Sequence, residues 1–291
     1  MHPDLGERAG YSSGIVLDFH TDSKKLFLAA ANGTNFEVYI NQNLRAVLNL
    51  KEQRRTGRPA EIALCDALGD PFATDCRVTV YFPRGNDPAV ISLVAIDGGA
   101  SIEPHRYASK MLFYGDSITQ GCSPAVHGFC YTRLVADFFN AEALNLGVGG
   151  GRFDPSTVDA IDFLPDHVMI SFGTNDYCHY QTLDDLRNHA DAFLKAVKDL
   201  HKATAKQFFV ISPLWRGDLK STPRAIKSFA DVRKTLAELA EKHNMIHIDG
   251  LSLVPPFPDY FRDEYLHPND LGGLLYAQGV IRAILPYMKQ G

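Results

Sequence analysis

A serine hydroxyl is a weak nucleophile at neutral pH and needs a base, so a serine at the end of a buried strand prompts a search for one. Ser117 is such a residue. In MLFYGDSITQG it follows an apolar run, Gly115 permits a tight exit from the strand, and Asp116 can bond nearby backbone and hold the turn. A helix starting there would aim its first amides at a developing negative charge. Of the eleven histidines, His267 alone stands in an acid-x-x-His-Pro setting, in FRDEYLHPND, just before a helix start. That makes it the candidate base. NLGVGGGR, Asn145 to Arg152, also follows a strand, and its glycines let backbone approach a substrate closely. SFGTNDY, Ser171 to Tyr177, presents Asn175 after another strand.

Other chemistries fit less well. There is no GxSxG, which disfavours the nucleophile elbow of α/β-hydrolases. GVGGGR has Arg152 where GxGxxG requires its last glycine, and no acidic residue ends a following strand in register, so a nucleotide-binding loop is set aside. Cys178 and His179 are adjacent, but neighbouring ligands rarely chelate one ion and no second cluster exists. Neither a metal nor another cofactor is expected.

The four segments, in this order, resemble the blocks of the GDSL/SGNH hydrolases, over residues 110–290. The resemblance implies that Ser117 is the nucleophile and His267 its base. It implies an oxyanion hole built from the amides of Ser117 and Gly150, with Gly149 and Gly151 as near alternatives, and from the Asn175 side chain. Asp176 would fix its loop. One position departs from the pattern: the residue three before the histidine is Glu264 rather than Asp, and Asp263 lies one further back. Register favours Glu264 as the triad acid, side-chain type favours Asp263, and a dyad held by a backbone carbonyl is a third arrangement; the register makes Glu264 the expected acid. Trp215, the only tryptophan, and Arg216 follow a strand and read either as packing or as wall and anchor of a substrate pocket, with Tyr177 and His179 as weaker candidates.

The elements that must position these residues change character along the chain. GIVLDF, KKLFLAA, NFEVYIN, LRAVLNL, EIALCDA, CRVTVYF and AVISLVAID are short alternating or apolar runs separated by turn signals, which predicts an all-β sandwich or jelly roll over residues 1–105. Over residues 106–291 strands alternate with helices: MLFYG, ALNLGV, HVMISFG, FFVISPL and MIHID against helices over 131–140, 183–201, 225–243 and 269–288. That order predicts an α/β domain of three layers, αβα, around a parallel sheet. All the chemistry then gathers at the carboxyl ends of the strands.

Composition narrows the class. Apolar residues at 45% and charged residues at 22% suit a globular domain. A net charge of −5 with no basic block proposes neither a nucleic-acid nor a membrane partner. The N-terminus lacks a secretory signal pattern, and five cysteines without framework spacing read as free thiols, so a cytoplasmic location is expected. The β domain preceding the GDS block resembles the arrangement in two-domain carbohydrate esterases. From that resemblance the expected activity is hydrolysis of short acyl esters, chiefly acetyl, of a sugar or small metabolite through a Ser117 acyl-enzyme. An acyltransferase using a sugar hydroxyl as acceptor, or a glycan-binding module on a degenerate catalytic fold, are the alternatives.

Overall fold

The computed structural model describes residues 3–64, 75–84, 87–221 and 224–288. Their contacts fall into two units: Gly10–Arg106, and Tyr107–Gly291 together with the N-terminal segment Met1–Ala9. That segment carries helix α1 (Pro3–Ala9), an element the strand pattern did not predict.

The unit Gly10–Arg106 contains β1 (Val16–Thr21), β2 (Lys25–Asn32), β3 (Asn35–Ile40), β4 (Asn43–Asn49), α2 (Lys51–Thr56), β5 (Ala60–Ala63), β6 (Cys76–Tyr81), β7 (Val90–Ile96) and β8 (Ile102–Pro104). Leu26, Leu28 and Ala30 alternate inward along β2, the period of two that a half-buried strand requires. The strands pair antiparallel into a five-stranded sheet, β4-β3-β6-β1-β8, and a three-stranded sheet, β5-β2-β7. Phe19, Leu26, Phe36, Val38, Ile62, Val78 and Val80 from both sheets close on one core, so the unit is a β-sandwich. Cys65 and the end of the EIALCDA run lie outside the described residues.

The other unit contains β9 (Ser109–Gly115), α3 (Ser117–Gln120), α4 (Tyr131–Phe138), β10 (Ala141–Gly147), β11 (His167–Ser171), α5 (Thr174–His179), α6 (Leu183–His201), β12 (Gln207–Ile211), α7 (Phe229–Lys242), β13 (Ile246–Ile248) and α8 (Asp270–Met288). The strands form one parallel sheet in the order β10-β9-β11-β12-β13. Each central strand feeds two cores. Leu112 and Tyr114 of β9, Val168 and Ile170 of β11, and Phe208 and Val210 of β12 face α6 and α7 through Phe193, Leu194, Val232 and Leu236. Met111 and Phe113, Met169, and Phe209 and Ile211 face α4 and α8 through Tyr131, Val135, Tyr276 and Val280. Apolar residues on both faces are why these strands read as continuous apolar runs.

Helix α6 shows how one amphipathic element is fixed. Thr182 caps it by accepting the Asp185 amide at 3.0 Å. Leu186, Ala190, Phe193, Leu194 and Val197 recur at helical spacing and are buried. Fully burying one such large side chain contributes about 1.5–3 kcal/mol.

The chain runs from β9 outward to β10 and then returns to the opposite side of β9 for β11. The carboxyl end of β9 is therefore a topological switch point, where the flanking loops diverge and leave a crevice.

Candidate active site

Ser117 stands at that switch point, as the first residue of α3. Gly115 ends β9 because nothing larger fits: a Cβ there would lie 2.0 Å from Thr119 Oγ1 and 3.0 Å from the Ser171 carbonyl oxygen. Asp116 caps α3, its carboxylate accepting the Ile118 amide at 3.0 Å. It is 3% exposed, and burial pushes its carboxyl up to about 7; the Ile118 amide opposes that rise, Asp176 adds to it and Arg216 opposes it.

His267 comes from the far end of the unit, on the segment before α8. Its Nε2 lies 2.8 Å from Ser117 Oγ. Its Nδ1 lies 2.6 Å from Asp263 Oδ2. An acceptor carboxylate at Nδ1 selects the tautomer that carries hydrogen there and leaves Nε2 free to take the serine proton. Asp263 Oδ1 in turn accepts the amides of Leu266 at 2.9 Å and His267 at 3.0 Å. Burial alone would raise the Asp263 carboxyl; those two amides and the imidazole hold it below its ordinary value.

The carboxylate at the imidazole is that of Asp263 and not that of Glu264, the expected acid. The segment folds back on itself, with Arg262 donating to the His267 carbonyl at 2.8 Å and Phe261 bridging Pro268. Glu264 sits in the tip of that turn at φ +66° and is exposed. The short Asp263 side chain folds back over amides two to four residues ahead, as Asp does in tight turns, and reaches the ring.

The glycine loop after β10 lies against the serine: the Val148 amide donates to the Gly115 carbonyl at 3.0 Å. Gly149 gives its amide to Gln120 Oε1 at 2.8 Å, and Gly151 gives its amide to the Val148 carbonyl at 2.7 Å. Among the described residues no protein group accepts the Gly150 amide, and Gly150 adopts φ +83°. The Ser117 amide, at the first position of a helix, has no intrahelical acceptor. Asn175 lies in the first turn of α5, half-buried, with Nδ2 donating to the Gly151 carbonyl at 3.1 Å. That bond uses one of its two amide hydrogens. Asp176 is fully buried and ties the two loops together, accepting the amides of Phe153 and Gly173 at 2.9 Å each. Burial pushes its carboxyl up to about 6 against those bonds.

Two of the pocket candidates are corrected. Arg216 is 6% exposed; its Nη1 donates to Thr174 Oγ1 at 2.8 Å and its Nε to Asp218 Oδ1 at 2.6 Å, so it pins the start of α5 rather than facing a ligand. Tyr177 is buried against Phe229 at 4.7 Å between ring centroids, a core residue on the inner face of α5. His179 is exposed at the end of α5. Trp215 does line an open cavity of about 560 Å³ with Gly217, Tyr265 and the carboxylates Asp218, Asp263 and Glu264. Its position rests on a close approach: a Cβ on Gly217 would lie 2.7 Å from the indole edge. Sequence reasoning passed over Gln120, the buried amide that clasps the glycine loop, and nothing in its spacing could have singled it out.

A model of the GDSL-like lipase/acylhydrolase family matches residues 113–273. Solved structures share the fold across nearly the whole chain. A Bacteroides ovatus protein described as a GDSL-like lipase is 19% identical, with 99% of this chain and 89% of that one covered and a TM-score of 0.76. A family two carbohydrate esterase from Clostridium thermocellum, in complex with cellohexaose, is 13% identical over 96% and 94% at 0.68. A salicylyl-acyltransferase from a tetracycline biosynthetic pathway is 19% identical over 96% and 84% at 0.71. At these identities the likeness speaks for the fold alone. No curated protein sequence matches.

Proposed function

The chain belongs to the GDSL-like lipase/acylhydrolase family, and on that premise we propose that it is a serine esterase removing short acyl groups, chiefly acetyl, from a sugar or small metabolite. The observation that carries the reading is the continuous chain Ser117 Oγ–His267 Nε2 at 2.8 Å and His267 Nδ1–Asp263 Oδ2 at 2.6 Å. His267 takes the Ser117 proton as Oγ bonds to the ester carbonyl carbon. The oxyanion accepts from the Ser117 and Gly150 amides and the second hydrogen of Asn175 Nδ2. As the tetrahedral intermediate collapses, the ester C–O bond breaks and His267 returns the proton to the leaving alcohol. Water, deprotonated by the same imidazole, then cleaves the acyl-enzyme and frees Ser117. Asp263 stabilises imidazolium at both stages without itself taking the proton.

The sugar assignment rests on the Trp215 wall, since indole faces suit the apolar faces of sugar rings, and on the fold shared with the Clostridium thermocellum carbohydrate esterase. The fold shared with the salicylyl-acyltransferase supports a second reading, in which an acceptor hydroxyl replaces water; product analysis with an added acceptor separates the two. The test of the central reading is Ser117→Ala, which should abolish turnover of 4-nitrophenyl acetate while circular dichroism stays unchanged. A serine-directed phosphonate should label Ser117. Full activity in the variant, or labelling elsewhere, overturns the reading.

A further inference from the structure

One cation stands beside the nucleophile without a role in the reaction just described. Helix α1 ends at the glycine loop, and two bonds fasten it there: Arg8 Nη1 donates to the Gly149 carbonyl at 2.9 Å, and Gln120 Nε2 donates to the Arg8 carbonyl at 2.9 Å. Gln120 is the residue that also holds the Gly149 amide, so α1, α3 and the glycine loop share one clasp. The position a Cβ on Gly149 would occupy lies 3.6 Å from Arg8 Cδ and 3.9 Å from Ser117 Cβ. The position of a Cβ on Gly150 lies 2.8 Å from Arg8 Nη1. The guanidinium therefore hangs over the loop that frames the nucleophile, and it is exposed.

Arg8 forms no ion pair with a carboxylate among the described residues; its one side-chain bond is to the Gly149 carbonyl. Arg216 and Arg224 share Asp218, and Arg77 pairs with Asp18. A guanidinium carries five donors in a planar fork that matches a carboxylate. In the turn before His267, Asp263 is bonded to the imidazole and Glu264 stands exposed. Glu264 repels a negatively charged substrate group from that turn, and Arg8 attracts one.

We propose that Arg8 is a specificity-determining residue, the charge partner of a carboxylate carried by the ester substrate, and that the natural substrate is an anionic ester. This rests on the esterase reading above. The carboxylate can belong to the acyl group or to the alcohol, and matched esters distinguish the two sources. In the acyl arm, mono-4-nitrophenyl succinate is compared with its methyl ester. In the alcohol arm, 4-acetoxybenzoate is compared with methyl 4-acetoxybenzoate.

The expected result is an anionic-over-neutral ratio of kcat/KM above one in one arm. That ratio should fall about tenfold or more in Arg8→Ala, the range for losing a hydrogen bond to a charged group. Arg8→Lys should keep part of it and Arg8→Glu should invert it. The preference should also weaken as salt rises toward 0.5 M, roughly, where charges at an exposed site are screened. Because the readout is a ratio, a shift of the glycine loop that slows both esters alike leaves it unmoved. A ratio of one or less in both arms, or a ratio unchanged in Arg8→Ala and Arg8→Glu, overturns the proposal while turnover of 4-nitrophenyl acetate and labelling of Ser117 leave the esterase reading standing. Loss of both turnover and labelling overturns the two together.

Discussion

Asp263 and Glu264 differ by one methylene and one position, and the consequences for the imidazole are opposite. Asp263 Oδ2 meets Nδ1 at 2.6 Å, whereas Glu264 is exposed at a left-handed turn position. Asp263→Asn should present an amide NH₂ to Nδ1, reverse the tautomer and lower kcat by about 10³–10⁴. Glu264→Gln should be mild. Both are measured as the pH-independent plateau of kcat, so that loss of orientation is not mistaken for protonation; the reverse ranking returns the acid to Glu264. Asn175 is tested on the same scale. Its amide meets negative charge that exists only in the transition state, so Asn175→Ala should lower kcat by about 10²–10³ with little change in KM. A change confined to KM would make it a ground-state contact.

At the scale of the element, the β9–α3 junction places a carboxylate in the protein interior directly beneath the nucleophile. Burial penalises the charge of Asp116 and pushes its carboxyl up from its ordinary 3.8 to about 7 in the folded chain. Between those pH values the folded chain binds more protons than the unfolded chain, so stability falls as pH rises through that window. Asp176, pushed up to about 6, adds to the same slope. Asp116→Asn keeps an oxygen to cap α3 and removes the ionisation. Denaturant midpoints at pH 4.5 and pH 7.5 should therefore differ less in the variant than in the parent. An unchanged difference would mean that Asp116 stays ionised in the folded chain. The cap itself was legible, since GDS after an apolar strand asks for an Asp that bonds backbone; its burial was not, because that depends on segments far along the chain, which also bring the charges of Asp176 and Arg216 to it.

For the molecule as a whole, the proposed short-acyl preference rests on the lining of the cavity at Asp263 and Trp215. That lining combines the Trp215 indole and Tyr265 with Asp218, Ser221, Asp263 and Glu264. Such a wall gives a long alkyl chain little apolar surface to bury, and each methylene left in water forgoes about 0.8 kcal/mol. kcat/KM on 4-nitrophenyl esters should therefore fall from acetyl to dodecanoyl. Comparable rates at the two ends of the series would contradict the short-acyl reading.

The periodicities of the chain determined its elements, because a strand alternates and a helix repeats every 3.6 residues whatever they pack against. Helix α6 has the predicted bounds, Leu183–His201, and each of the five parallel strands appears where its apolar run lies. The sequence places Ser117 and Asn175 after strands and His267 before a helix, and the structure has them there. What the chain order could not determine was decided by contacts between distant segments. Ser117 meets His267 across 150 positions, and Arg8 meets Gly149 across 141. Arg216 reads from sequence either as packing or as a pocket anchor, and its guanidinium is consumed by Thr174 and Asp218. Asp263 displaced Glu264 because the fold-back at φ +66° sends neighbouring side chains in different directions. Backbone geometry is local and leaves its period in the sequence; the partner that satisfies a buried charge or a loop carbonyl is chosen only when packing brings separate elements within hydrogen-bond reach.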